Sequence, residues 1–217
     1  GLQTSYQQID ATGSKFRGEN YHTQILCNEL FSVYGTHPTK SRLDILRFLQ
    51  GNQDLSYLYN DLSRDFLSQL KVSAKDQRYI QAVLLEDEIL SEQVLEERLS
   101  SLKKKPKIFK QMKESLALAY YHKQTDFPSV EILVSDNAPE YRLLAEEQAL
   151  CWIHDARNYK KLAAYVPKHR QILEDFLKQY WGFYQTLLDF KEKPTQQQKQ
   201  DIENEFDRIF TLETDYY

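Results

Sequence analysis

The feature that most limits the fold of this chain is a pair of aspartates, each placed where a short apolar, strand-like segment ends. Asp10 follows Ile9 near the start of the chain, and Asp136 closes a segment that begins at Val130. A carboxylate leaving a buried strand is a poor choice for stability alone, because an unpaired charge is costly away from water. More than half of the chain lies between the two residues. A shared site therefore requires a fold that brings distant segments together.

The composition indicates a globular protein outside the membrane. The chain has 217 residues, 41% of them hydrophobic, and a formal charge of −4, so any contact with nucleic acid must come from local basic patches. The two cysteines, Cys27 and Cys151, do not make a disulfide framework. No apolar run approaches the ~20 residues that span a bilayer. These features predict a cytoplasmic protein without a membrane partner.

The first quarter of the chain predicts an antiparallel meander followed by a helix. Strand-like segments occupy residues 6–11, 21–28 and 30–34, and glycines and polar residues between them suit turns. Thr39 or Ser41 can cap the helix, which ends at Gly51. The chain starts at Gly1 without an initiator methionine and reaches its first strand at once, which predicts a piece of a longer protein.

Helical periodicity then continues over residues 52–127, which predicts an all-helical insertion. Lysines and Pro106 at residues 103–107 predict an exposed joint within it. Such a lysine cluster suits either a phosphate-binding patch or an ordinary solvated loop, and the solvated loop is the commoner case.

A strand, helix and strand follow the insertion. The apolar residues 130–134 predict a buried strand, Pro139 predicts the first turn of a helix reaching Gln148, and residues 149–153 predict the second strand. A strand–helix–strand unit implies a parallel pair. The remaining sequence predicts helices through Leu162, over residues 172–188 and beyond Pro194.

Three short motifs give this element order a family resemblance. They are IDATG at residues 9–13, VSDNA at 134–138 and LCWIHDAR at 150–157. Together they resemble the DDE transposases of bacterial insertion sequences, whose catalytic domain has a ribonuclease H-like fold. The resemblance implies an α/β protein with a mixed sheet, three antiparallel strands plus parallel strands, interrupted by large all-α insertions.

The resemblance also implies a chemistry for the two aspartates. Asp10 and Asp136 would lie side by side and hold Mg²⁺ (or Mn²⁺) as the first two catalytic acids. Carboxylate oxygens suit such hard cations, and two metals ~3.5 to 4 Å apart can activate an attacking oxygen and stabilise the leaving one. The implied reactions are phosphodiester hydrolysis and strand transfer at transposon ends. The implied partners are DNA at those ends and at the target, with a homo-oligomer assembled on DNA in the bacterial cytoplasm.

The third motif carries a Cys-x-x-His signature formed by Cys151 and His154. The spacing matches half of a zinc site, but no second ligand pair appears in the sequence, so zinc is not predicted. Both residues suit an architectural role as well as a functional one. Arg157, Lys160 and Lys161 continue the segment as a basic face that suits DNA phosphates, and solvated helix charges explain them equally well.

The third catalytic acid of the family is not identified in this sequence. Glu203 and Glu205 lie in an ordinary amphipathic pattern, and Glu213 and Asp215 lie near the end. The predicted organisation has four parts: residues 1–50 begin the core, 51–127 are an insertion, 128–160 complete the core, and 161–217 form a second helical insertion truncated before the third acid. The isolated chain is therefore expected to be catalytically inactive.

Two other functions remain open from the residues alone. A ribonuclease H-like nuclease or resolvase would use the same carboxylate and metal chemistry without strand transfer. Alternatively, the chain is a non-catalytic helical interaction protein. In that case Asp10 is a turn residue before Gly13, Asp136 is a helix cap before Pro139, and the aromatic residues 172–188 form a partner surface.

Overall fold

The computed structural model of the chain describes residues 6–101 and 105–211. They belong to two compact units, the first ending at Cys151 and the second beginning at Trp152. The first unit contains seven strands and five helices among its described residues: β1 Tyr6–Phe16, β2 Glu19–Cys27, β3 Ser32–His37, α1 Arg42–Leu49, β4 Ser56–Leu58, α2 Asp61–Gln69, α3 Ala74–Val83, β5 Ile89–Ser91, α4 Glu92–Leu99, α5 Pro106–Lys123, β6 Ile132–Ser135 and β7 Glu147–Leu150. The second unit contains α6 Trp152–Lys160, α7 Pro167–Glu192 and α8 Gln196–Phe210.

A five-stranded mixed sheet forms the centre of the first unit, in the order β3-β2-β1-β6-β7. The first three strands are antiparallel neighbours, whereas β6 runs parallel to β1 and β7 runs parallel to β6. The predicted α/β class, the meander and the parallel pair are therefore confirmed. The sheet places the start of the chain beside a strand that follows the long helical segment.

The β1–β2 hairpin is longer than the sequence pattern predicts. Its loop is Arg17 and Gly18, which both have positive φ angles of 51° and 85°. Positive φ at both central positions gives the turn whose twist matches the flanking strands. Gly13, expected in a turn, instead pairs with His22 within the hairpin. The polar composition of this stretch reflects its exposure.

One face of the sheet packs into the core. Ile9, Leu26 and Leu133 point to this face and are 3%, 7% and 0% exposed. The cluster that buries them also contains residues of α1 and of α5, for example Leu46 and Leu116. Side chains alternate between the faces of a strand, so Asp10, next to Ile9, points to the other face.

The inserted segment was predicted to be all-helical, and this prediction is wrong. It contains the strands β4 and β5, which pair antiparallel in a second small sheet. Tyr57 and Leu90 face each other in this pair and are both buried. Strands of three residues are too short to show an alternating pattern, and the surrounding helices dominate the periodicity of the segment. Lys103 and Lys104, part of the predicted joint, lie outside the described residues; Pro106 begins α5.

The helix expected from Pro139 to Gln148 is also wrong. Pro139 starts a single 3₁₀ turn that ends at Tyr141, and Leu143 has a φ of 71°. A leucine in the left-handed region cannot continue a helix. The following strand, β7, accordingly begins at Glu147, two residues earlier than predicted, and residues 152 and 153 belong to α6.

The second unit is organised around aromatic side chains. Trp152 stacks on Tyr180 at a centroid distance of 4.4 Å, and Phe183 and Phe210 lie within 6.3 Å of the same indole. The Tyr180 hydroxyl donates to the Trp152 carbonyl at 2.8 Å. Tyr180 and Phe183 are buried. Much of the aromatic pattern of α7 therefore serves the core of this unit.

The structure also shows the state of the two cysteines and the character of the helices. Cys27 and Cys151 are both free thiols. Among the helices of the described residues, none combines the length and the apolar character needed to cross a membrane.

Close packing at Gly35 gives a first testable prediction. A methyl group at this position of β3 would lie 2.5 Å from Cδ2 and 2.7 Å from Cε2 of Phe48, whose ring is 7% exposed. We expect Gly35→Ala to lower the free energy of unfolding by about 1 to 3 kcal/mol, the usual cost of overpacking. Denaturant unfolding measures the change. Gly13→Ala is the control, because nothing lies within 4 Å of its added methyl group; a loss of stability there as well would contradict the packing explanation.

Candidate metal centre

The register of two parallel strands brings Asp10 and Asp136 together. Gln8 of β1 is level with Val134 of β6, and each aspartate lies two residues further along its strand direction. Because side chains alternate along extended backbone, this spacing puts both carboxylates on one side of the sheet. A carboxylate oxygen of Asp10 lies within 4.8 Å of one of Asp136. The two acids predicted to meet are therefore neighbours.

Asp10 is a strand residue. It pairs with Ile25 of β2, and β1 continues through Gly13, so the alternative of a turn at Asp10 is wrong. Its side chain is on the exposed face of β1, and Oδ1 accepts a hydrogen bond from the Ala11 N–H at 2.7 Å. An acid at this position is not needed to build the sheet.

Asp136 begins the loop that leaves β6. Its Oδ1 accepts from the Ala138 N–H at 2.9 Å, the local bond of an Asx turn. Its Oδ2 lies 3.7 Å from Nζ of Lys40. The alternative of a helix cap is wrong, because Ala138 is the N-cap of the 3₁₀ turn and that turn has no side-chain cap.

Two residues missed by the sequence analysis lie beside this pair. Lys40, from the loop between β3 and α1, places Nζ 5.0 Å from the centre of the Tyr141 ring in addition to its contact with Asp136. Tyr141 is 1% exposed. Burial, and then the negative charges of Asp136 and Asp10, raise the pKa of the Tyr141 phenol above its ordinary value. The phenol therefore stays protonated at neutral pH, beside two carboxylates.

The loop that carries Asp136 is held by a buried arginine. Arg42, at the start of α1, donates to the carbonyls of Pro139 and Arg142 and forms an ion pair with Glu114 of α5 at 2.5 Å. Arg42 and Glu114 are 5% and 6% exposed. A guanidinium offers five donors in a fixed plane, which suits three acceptors on different segments. Arg42 therefore fixes the loop after β6 relative to two helices.

The donor set fits a hard divalent cation. Both ligands are carboxylates, and Mg²⁺ prefers oxygen ligands at about 2.0 to 2.1 Å. Two such bonds span about 4.2 Å at most, so the upper limit of 4.8 Å between the oxygens requires only a small side-chain rotation to share one ion.

Comparisons with known proteins give one similar sequence and assign no function to this site. No family model matches the chain. No solved structure matches it significantly. A similar sequence is the uncharacterized protein y4jO of Sinorhizobium fredii (strain NBRC 101917 / NGR234), 24% identical over 226 residues that cover 99% of this chain and 66% of that protein. The chain thus spans about two thirds of the length of this relative, whose name assigns no activity.

The remaining predicted residues lie between Cys151, which follows β7, and Lys161, which follows α6. Cys151 is half-buried, and its N–H donates to the Ser135 carbonyl at 2.7 Å, which extends the ladder between β6 and β7. His154 lies in the first turn of α6, in the second unit. Arg157, Lys160 and Lys161 are exposed at the end of this helix. Lys160 lies 5.8 Å above the Trp181 ring.

The candidates for a third acid are ordinary surface charges where the structure describes them. Glu203 lies 3.9 Å from Lys199, and Glu205 lies 2.6 Å from Arg208, both within α8. Glu213 and Asp215 lie outside the described residues. Pairs of this kind on an exposed helix face support the interpretation of an amphipathic helix.

Proposed function

We propose that this chain is part of the catalytic region of a DDE-type DNA transposase, with a ribonuclease H-like core in which Asp10 and Asp136 bind Mg²⁺ or Mn²⁺. The observation that carries the proposal is the register of β1 and β6. It makes two aspartates from distant parts of the sequence neighbours on one side of a sheet.

The topology of the sheet supports the same proposal. Three antiparallel strands at the start of the chain are joined by two parallel strands in the order β3-β2-β1-β6-β7. This is the arrangement that the resemblance to insertion-sequence transposases implies. The described residues between α1 and β6 form an insertion of four helices and a two-stranded sheet, which leaves β1 and β6 adjacent.

The residues of the chain would prepare the site for phosphodiester chemistry. Asp10 and Asp136 would hold the cation, with the Ala138 N–H orienting one oxygen of Asp136. The bound cation would supply Lewis-acid stabilisation of charge at the phosphate and help to activate the attacking oxygen. Water would be the nucleophile in cleavage, and the freed 3′-hydroxyl would be the nucleophile in strand transfer.

The wider activity follows as part of the proposal. The substrates are DNA at transposon ends and at a target, the assembly is a homo-oligomer on paired ends, and the setting is the bacterial cytoplasm. A third carboxylate is not identified among residues 6–101 and 105–211. We therefore propose that cleavage requires a third acid from outside this described part.

A Mn²⁺ titration followed by nuclear magnetic resonance tests the proposal on the chain as it exists. Mn²⁺ is paramagnetic, so it broadens the signals of nearby amides. We expect the amides of Ala11 and Ala138 to broaden first, at Mn²⁺ concentrations that leave the exposed acids of α8 unaffected. Equal broadening at Glu203 and at Ala11 would mean nonspecific binding to surface carboxylates and would rule out a metal centre at the sheet.

A further inference from the structure

We propose that Lys40 binds a phosphate oxygen of the DNA backbone next to the carboxylate pair, and that it contacts Asp136 when no cation or phosphate is bound. This inference rests on the proposed function. It assigns a role to a residue that belongs to none of the three sequence motifs. The argument depends on where the ammonium lies, how it is supported and which charges surround it.

The position of the ammonium is defined from two directions. Nζ lies 3.7 Å from Oδ2 of Asp136 and 5.0 Å from the centre of the Tyr141 ring. The ring is buried, so it provides a fixed apolar and π surface beneath the charge. The Lys40 side chain is 25% exposed. The ammonium is therefore held close to the carboxylates while remaining accessible from solvent.

The contact between Lys40 and Asp136 is longer than a direct hydrogen bond. Charge-assisted hydrogen bonds between an ammonium and a carboxylate have lengths of about 2.7 to 2.9 Å, well below 3.7 Å. An ammonium has three donors. At this distance the Asp136 carboxylate attracts the Lys40 ammonium electrostatically without fixing the direction of its N–H groups. Lys40 is therefore able to turn toward another anion without breaking a strong hydrogen bond.

The backbone of Lys40 is fixed even though its ammonium can move. The next residue, Ser41, is the N-cap of α1, and its hydroxyl oxygen accepts a hydrogen bond from the Asp44 N–H at 3.2 Å. Arg42 follows and is held by its buried ion pair. The four-carbon stem of Lys40 thus starts from a rigid point, so a modest rotation moves the ammonium while keeping it at the site.

The charges at the site favour an anion after the cation binds. Asp10 and Asp136 contribute two negative charges and Lys40 one positive charge, so the site alone attracts a cation. One divalent ion reverses the sign of the total and leaves one net positive charge. A phosphodiester carries one negative charge and restores neutrality. A phosphodiester is therefore a better match than a neutral or dianionic group.

Three variants test this role: Lys40→Gln, Lys40→Arg and the control Lys110→Gln. Lys110 forms an ion pair with Glu114 that is also 3.7 Å long, so the control removes a comparable contact. Two readouts are measured for each variant, the affinity for Mn²⁺ alone by calorimetry and the affinity for a 20-base-pair duplex DNA in Ca²⁺ over a range of salt concentrations. The thermal midpoint of unfolding checks that each variant is folded.

We expect Lys40→Gln to bind Mn²⁺ about 3 to 10 times more tightly, because a competing positive charge is removed from Asp136. Its DNA affinity should fall about 10-fold, and the slope of log affinity against log salt should decrease by about one, as for the loss of one phosphate contact. Lys40→Arg should keep the slope of the unaltered chain. A residue with only a structural role would not change the salt slope.

The outcomes separate this inference from the proposed function. If the unaltered chain binds no Mn²⁺, both proposals are overturned. If it binds Mn²⁺ but Lys40→Gln has the same DNA affinity and salt slope as Lys110→Gln, the metal centre stands and the role of Lys40 is wrong. Weaker Mn²⁺ binding in Lys40→Gln would also overturn it, since Lys40 would then support the metal site instead of competing with the cation.

Discussion

Asp136→Asn is expected to lower the affinity of the chain for Mn²⁺ by at least about 100-fold, and Asp10→Asn to do the same. Loss of a residue that only orients a metal ligand commonly costs about 10- to 100-fold in affinity. Loss of a ligand charge should cost at least the upper end of this range, because the described residues supply two carboxylates at the site. Isothermal calorimetry measures the affinity directly.

The asparagine substitution is chosen to preserve the local fold. The Asp136 side chain accepts a hydrogen bond from the Ala138 N–H, and the amide oxygen of an asparagine can accept the same bond. The loop geometry should therefore survive while the charge is lost. The free energy of unfolding without metal checks this point.

The matched control is Asp61→Asn at the start of α2. The Asp61 side chain is 98% exposed and pairs with Arg64, so its loss removes one negative charge from the surface without touching the sheet. We expect the Mn²⁺ affinity of this variant to stay within about twofold of the starting value, since exposed charges are well screened. If Asp61→Asn and Asp136→Asn weaken Mn²⁺ binding equally, the pair at the sheet is not a metal centre.

The family resemblance implied that Asp10 and Asp136 are neighbours, and the local residue pattern supports this only in part. The apolar segment before Asp136 marks the end of β6, whereas Asp10 lies within β1, which continues to Phe16. The meander was predictable for a similar reason, since its first turn, Arg17 and Gly18, lies in a polar stretch and its second begins with the polar residues Asn28 and Glu29. These features depend on residues close together in the sequence.

Lys40 and Tyr141 could not be predicted because their role depends on contact between two loops. Lys40 precedes a helix cap, and Tyr141 lies in a turn that the sequence pattern assigned to a longer helix. The structure ends that turn after three residues and gives Leu143 a positive φ. Only the resulting path of the chain brings the Tyr141 ring under the Lys40 ammonium. A single sequence gives no signal for such a contact between two loops.

The short strands β4 and β5 were missed for a different reason. Each has three residues, and each is stabilised by its partner and by burial of Tyr57 and Leu90. β4 packs against α5, and β5 packs against β4 and α4, so tertiary contacts override weak local preference in these short segments. The segment therefore remained helical in the sequence analysis although its two strands pair across more than thirty residues.

Arg42→Met is expected to lower the free energy of unfolding by about 3 to 5 kcal/mol. The substitution leaves the Glu114 carboxylate buried without its guanidinium partner, and breaking a buried pair from one side is strongly destabilising. It also removes the donors to the carbonyls of Pro139 and Arg142. Lys110 lies 3.7 Å from the other Glu114 oxygen, which favours the lower end of the range. Denaturant unfolding measures the loss.

Arg47→Met on the same helix is the control. Arg47 pairs with Asp44 and Glu92, but its side chain is 32% exposed, so its pairs should contribute no more than about 1 kcal/mol. Comparable losses at residues 42 and 47 would show that methionine is poorly tolerated in α1, and that the buried ion pair is not the cause.

A double variant separates the stability of the fold from the geometry of the metal site. Arg42→Met combined with Glu114→Leu removes both buried charges, and we expect it to recover a large part of the lost free energy of unfolding, because no uncompensated charge remains. The carbonyls of Pro139 and Arg142 still lack their donor, so the loop after Asp136 stays loosely held. The Mn²⁺ affinity should therefore remain below that of the unaltered chain even where stability returns. Recovery of both properties together would mean that Arg42 stabilises the fold without positioning Asp136.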